Sequence, residues 1–125
     1  MHRIDKDPVE ILGATVIPIP LKHGPLFDVL GFRIGDVAYC TDTSFIPESS
    51  FALLEGVKTL VLDALRPESH PTHFNIEQAI EVARRIGAEK TWFTHCACKV
   101  NYEPLNPTMP EGIELGYDGL QIDLV

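Results

Sequence analysis

One segment of this chain keeps helical spacing throughout, and it lies between two apolar runs too short to be helices. In Ile76–Ile86 the residues Ile76, Ala79, Ile80, Ala83 and Ile86 recur at intervals of three and four, which places them on one stripe of an α-helix. Asn75 and Gln78 have the pattern of an N-terminal capping box, and Gly87 stands where such a helix ends. The flanking runs, residues 59–65 (TLVLDAL) and 90–95 (KTWFTH), read as strands. A helix set between strands asks for a layered α/β structure.

The remaining segments agree. Residues 14–21 (ATVIPIPL) read as a strand, with Pro18 and Pro20 demoting it towards an edge. Residues 29–34 and 37–41 flank Gly35-Asp36 as a hairpin, and residues 47–55 read as a short helix stopped by Gly56. Residues 113–117 and 120–124 are expected to pair across Asp118-Gly119, while the polar residues 1–7 are expected to fray. The sum is an α/β fold, a mixed sheet with covering helices. At 125 residues there is room for one domain, and the sequence shows no repeat or low-complexity tract.

The chemistry collects where these strands end. The first strand runs into Lys22-His23, the second hairpin arm into Asp42, the buried run reaches Asp63, and the strand after the long helix ends at His95. Binding sites on α/β sheets form at such strand ends. Imidazole and carboxylate groups are ligands for Zn²⁺, Mn²⁺ or Fe²⁺, and a carboxylate can bridge two ions. His73, in HPTHFN just before the long helix, is a fifth candidate. Any one such residue is ordinarily a cap or a turn; four at the same relative position form a set. Asp63 is the weakest of the four on sequence grounds, since two residues continue its strand.

Charge and composition limit what such a site serves. A net charge of −8 disfavours nucleic-acid binding through a basic face. No apolar run approaches the ~20 residues of a membrane span, and three cysteines make no disulfide framework, so a cytoplasmic protein is expected.

HGP at His23, YCTDTS at Asp42, LVLDALR at Asp63, HPTHFN at His73, TWFTHC at His95 and the closing GYDGLQIDL occur in this order. The set resembles the C-terminal half of a metallo-β-lactamase-fold hydrolase. Within that superfamily it is similar to the branch holding the cyclic-phosphoribose phosphodiesterase of phosphonate breakdown, a relative of the tRNA 3′-processing endonucleases. The resemblance runs from about residue 9 to residue 124 and implies one half of a four-layer αββα sandwich. It implies His23 as a ligand of one metal, Asp42 as the carboxylate bridging both, and His95 as a ligand of the second. His73 takes the part of a non-ligand histidine that protonates the leaving oxygen or stabilises charge on it; His70 is its alternative in sequence terms. Asp63 orients a ligand or the loop that carries one. Two divalent ions, Mn²⁺ or Zn²⁺, and a small phosphate ester as substrate are implied with them.

One part of the resemblance is missing. The family's His-x-His-x-Asp-His motif is absent: the histidines are His2, His23, His70, His73 and His95. Two ligands per metal, one of them shared, are too few for tight binding. Residues 1–125 are therefore expected to be a partial domain, inactive alone, that joins a missing N-terminal half or associates with itself. Val16, Ile17, Phe32, Ile34, Val61 and Leu62 are expected to supply apolar strand surface beyond what the helices cover. Two rival functions stand beside phosphodiester hydrolysis: a non-catalytic assembly module, and hydrolysis of another ester such as a thioester or lactone. Cys40, Trp92 and Phe93 read as packing, Cys96 and Cys98 as free thiols, and Lys22, Arg33 and Arg66 as candidate phosphate contacts whose default is solvation.

Overall fold

The computed structural model describes residues 7–65, 70–95 and 109–122. Seven strands form one sheet in sequence order: β1 (Val9–Ile11), β2 (Ala14–His23), β3 (Phe27–Ile34), β4 (Val37–Cys40), β5 (Thr59–Asp63), β6 (Lys90–Thr94) and β7 (Ile113–Leu115). The β1 to β4 pairings are antiparallel and the β4 to β7 pairings parallel. Helix α1 (Glu48–Leu53) precedes β5, and α2 (Ile76–Ile86) connects β5 to β6.

Local signals account for the helices. Asn75 accepts from the Gln78 N–H while the Gln78 side chain accepts from the Asn75 N–H, so the capping box satisfies two otherwise orphaned donors. Gly87 ends α2 in the left-handed region at φ 74°. The shorter α1 has no side-chain cap; its support is tertiary. Ser50 donates to the Pro20 carbonyl at 2.5 Å, and Arg85 of α2 pairs with Glu48 while lying over the Phe51 ring.

The prolines of β2 sit where the sheet tolerates them. Among the described residues β1 pairs with β2 only as far as Val16, so no described strand lies beside the next residues of β2 on that side. The Pro20 carbonyl bonds Ser50, and the Lys22 N–H donates to the Phe45 carbonyl at 3.0 Å. Backbone groups of these alternate residues therefore point away from β3, and Pro18 and Pro20 remove no ladder bond. An edge-like strand was expected, and β2 is one over this stretch, although β1 makes it the second strand of the sheet.

The two faces of the sheet differ. On one, Ile19, Leu21, Ala38, Cys40, Leu60, Leu62 and Phe93 form a single core with Leu54 and Val57 after α1 and with Ile76, Ala79 and Ala83 of α2. On the other, Phe32, Ile34, Val37, Tyr39, Val61 and Trp92 line an open apolar groove of about 620 Å³ that ends at His95. Val16, paired with Ile34, is buried instead and Ile17 takes the opposite parity, with Ile19, while Phe32, Ile34 and Val61 line the open groove as expected. Leu62 does not: it is fully buried against the helices, because β5 alternates sides and Leu62 follows the open-face Val61. Phe93 is likewise core, and burial pushes the Cys40 thiol up to about 12, which makes it an inert packing group.

The C-terminal segment differs from its expected hairpin. β7 pairs parallel to β6, and residues 120–122 form no strand. Asp118-Gly119 does make a turn, closed by the Leu120 N–H on the Tyr117 carbonyl at 3.1 Å. The turn signal is local and holds; the partner of the strand before it is chosen by the sheet. Residues 123–124 of the expected second arm, the start of the chain over residues 1–6, Arg66, Cys96 and Cys98 lie outside the described residues. No helix among the described residues is long and apolar enough to cross a membrane.

Candidate metal centre

β2 is antiparallel to β3 and β3 to β4, so β2 and β4 run the same way, and β5 and β6 run parallel to β4. The C-terminal ends of these four strands therefore share one edge. His23 is the last residue of β2, Asp63 the last of β5, His95 the first after β6, and Asp42 follows β4 by two residues. Asp63 ends its strand instead of lying within it, contrary to its weak standing in the sequence. His73 arrives from the segment before α2, which is pinned by Phe74 N–H to the Thr43 carbonyl at 2.9 Å and Leu65 N–H to the Phe74 carbonyl at 3.0 Å.

All five side chains meet at this edge. Ligand-type atoms of His23, Asp42 and His73 lie within 4.8 Å of one another. Nε2 of His95 is 3.3 Å from Oδ1 of Asp42. The His73 ring is stacked on that of His95 with centroids 4.6 Å apart, and meets that of His23 edge-on at 4.8 Å. His70, the alternative to His73, is 5.2 Å from it and bonds through Nδ1 to Thr72. His73 thus lies as near to His23 and Asp42 as a ligand would.

Hydrogen bonds set which nitrogen each ring offers. His23 Nδ1 lies 3.0 Å from the Thr72 carbonyl, which can only accept, so Nδ1 carries the proton and Nε2 keeps its lone pair. His73 Nδ1 donates in the same way to Oδ2 of Asp63 at 2.7 Å. Asp63 is fully buried, and its Oδ2 also accepts from the Thr43 N–H at 2.9 Å. Its Oδ1 is buried with no hydrogen-bond partner among the described residues. Burial raises the pKa of Asp63 above the usual carboxylate range, opposed by the bonds to His73 and Thr43. A buried carboxylate behind a histidine fixes its tautomer and the orientation of its ring.

The backbone is bent to this end. Asp42 and His95 lie in the left-handed region at φ 56° and 61°, a conformation that costs a non-glycine residue roughly 1–3 kcal/mol. Asp42 and His95 also retain substantial side-chain exposure, as groups that receive an ion or a substrate must. Gly24, beside His23, has φ +73°, and a Cβ there would come within 2.9 Å of Thr72 Cγ2. The glycine lets the β2 turn approach the residue whose carbonyl holds His23.

Two expected phosphate contacts are engaged elsewhere. Lys22 pairs with Asp28. Arg33 donates to the Leu53 and Glu55 carbonyls at 2.9 and 2.7 Å, capping the end of α1 far from this edge. Thr43 and Thr72 were missed in the sequence. TDTS and HPTH contain them, but their role lies in contacts across the chain that no spacing reveals.

The donor set suits a divalent cation: lone-pair nitrogens and carboxylate oxygens, oriented from behind, on a chain with net charge −8. Residues 1–96 match the sequence profile of the Beta-lactamase superfamily domain. A solved structure described as a new diphosphatase from the PhnP family is 40% identical, with a TM-score of 0.95 over 98% of this chain and 48% of that one. The metallo-beta-lactamase fold protein YhfI from Bacillus subtilis is 17% identical with a TM-score of 0.75, covering 93% of this chain and 52% of that one. An octanoyltransferase of Porphyromonas gingivalis is 33% identical over 119 residues, which are 91% of this chain and 23% of that protein. The chain thus spans about half the length of these solved structures and a quarter of the curated relative. Its mixed seven-stranded sheet and covering helices are those of the metallo-β-lactamase fold, and the chain belongs to the beta-lactamase superfamily of metallo-β-lactamase-fold hydrolases.

Proposed function

We propose that this chain is the C-terminal half of a metal-dependent hydrolase acting at phosphorus, on a phosphodiester of cyclic-phosphate type. The observation that carries the reading is the convergence of His23, Asp42 and His95 on one sheet edge, with His73 backed there by the buried Asp63. The likeness to a diphosphatase supports attack at phosphorus over attack at a carbonyl.

His23 and Asp42 would hold one divalent ion, Mn²⁺ or Zn²⁺, and Asp42 and His95 a second. When bound, such ions supply positive charge against phosphoryl oxygens and lower the pKa of water. The chain's own residues do the rest. Water oxygen bonds to phosphorus as the ester phosphorus–oxygen bond breaks. His73, its Nδ1–H held by Asp63, acts in the form that also carries a proton on Nε2 and passes that proton to the leaving oxygen. The open groove beside His95 receives the apolar face of a chain bearing the His-x-His-x-Asp-His motif, or of a second copy, and excludes water there. The reaction belongs to a reducing cytoplasm.

The test joins the chain to a half-chain carrying that motif and follows metal uptake and hydrolysis of a cyclic nucleotide. His73→Ala should keep the metal and lose about 10²–10⁴-fold in kcat. Asp42→Ala and His95→Ala should lose metal. If His73→Ala empties the site, His73 is a ligand, as its closeness to His23 and Asp42 also permits. A stable complex that takes up no metal would make this an assembly module.

A further inference from the structure

We propose that Thr43 is a positioning residue that holds His23, Asp42 and the Asp63–His73 pair in one constellation. The inference rests on the metal-centre reading of that edge. Thr43 is fully buried and uses every polar atom it has. Its N–H donates to Oδ2 of Asp63 at 2.9 Å, and its carbonyl accepts from Phe74, the neighbour of His73, at 2.9 Å. Its hydroxyl lies 2.8 Å from the Lys22 carbonyl, the residue before His23, and 3.0 Å from the Phe45 carbonyl. The same oxygen accepts from the Phe45 N–H at 3.3 Å.

Of the four strand ends that carry the site, these contacts reach those of β2, β4 and β5 and leave out that of β6. The backbone contacts tie Asp63 and the His73 segment to the loop after β4. The hydroxyl ties that loop to the end of β2, beside the left-handed Asp42 whose backbone needs external support. Backbone bonds also join the two, Lys22 N–H to the Phe45 carbonyl at 3.0 Å and Ser44 N–H to the Lys22 carbonyl at 2.8 Å. The Thr43 hydroxyl, its one hydrogen shared between the two carbonyls, adds the side-chain bond from Thr43 to this junction and so fine-sets the spacing between His23 and Asp42.

Thr43→Val removes the hydroxyl at nearly constant volume, and Thr43→Ser keeps it. Two readouts are taken on the full chain well below each variant's melting temperature. The first is the metal-free ¹⁵N imidazole spectrum at high pH, where His23 in the wild type should show a fixed Nδ1–H tautomer. The second is affinity for Co²⁺ alone. Thr43→Val should give mixed His23 tautomers and a loss of about 10–100-fold in Co²⁺ affinity, the range for residues that orient metal ligands. Thr43→Ser should restore both. Wild-type behaviour in Thr43→Val, or no rescue by Thr43→Ser, overturns the proposal. If Thr43→Val does not fold, Thr43→Cys, with its weaker donor, is read the same way. If the wild type alone binds Co²⁺ too weakly to measure, as two ligands per ion imply, the affinity is read with the half-chain carrying the His-x-His-x-Asp-His motif joined to it. No binding there, with the tautomer still fixed, counts against the metal-centre reading, and Thr43 is then judged on the imidazole spectra.

Discussion

Val61 and Leu62 are neighbours in β5 and similar in character, but they belong to different structures. Leu62 is fully buried in the core beneath the helices; Val61 lines the open groove. The covered face is a finished interior, with Leu60, Leu62 and Phe93 packed against α2 and the turn after α1. The open face carries comparable side chains with no helix over them among the described residues, only Tyr117, Leu120 and Ile122 along its rim. Hydrophobicity sets how much surface a strand must bury, and strand parity sets where; whether burial occurs depends on what else the fold supplies. The polar edge joins the two, since the groove ends at His95.

The largest effect should come from breaking this contrast directly. Leu62→Ala opens a cavity among buried neighbours and should cost about 2–5 kcal/mol. Val61→Ala removes less, from a partly buried site at the groove, and should cost under about 1 kcal/mol. Chemical denaturation of the two variants at several protein concentrations checks this. Equal costs that grow with concentration would mean that the open face is covered in solution by a second copy.

What could be read in the sequence divides along the same line. The α2 helix was legible to the residue because its stripe, capping box and Gly87 are local. The four strand ends were legible because a strand's last polar residue is a sequence feature. The three-residue β1 gave no periodic signal, and the parallel partner of β7 is non-local, so residues 113–117 were read as a hairpin arm from the turn beside them. Arg33 reads as a free cation until the end of α1 is found against it. Asp63 and His73 were both named, but their 2.7 Å bond depends on how the segment before α2 is pinned to Thr43. Which face Leu62 occupies depends on where the helices settle.

A middle-sized effect tests how much of the covered face rests on local design. Asn75→Ala removes one arm of the capping box and should destabilise the chain by about 1 kcal/mol. Helical content measured by circular dichroism should fall with it, while any association through the open face is unchanged. An accompanying change in association would show that the two faces are coupled through the sheet.

The smallest effect lies on the outermost layer of the covered face, where Arg85 pairs with Glu48 and lies 3.7 Å above the Phe51 ring. Arg85 holds the Glu48 carboxyl below its ordinary value of 4.5. A depressed acid stabilises the fold above its unfolded pKa, and that contribution is lost as pH falls through the folded value. Wild type should therefore be slightly more stable than Glu48→Gln at pH 7, with the two converging under acid. Both groups are solvated, so the gap should also close at high salt. Thermal melts of both proteins across pH 3–7, at low and high salt, check the sign. A gap that survives high salt would mean that the Glu48 carboxylate acts through its two short-range bonds to Arg85, which hold Arg85 over Phe51, because such bonds outlast screening and a bare charge attraction does not.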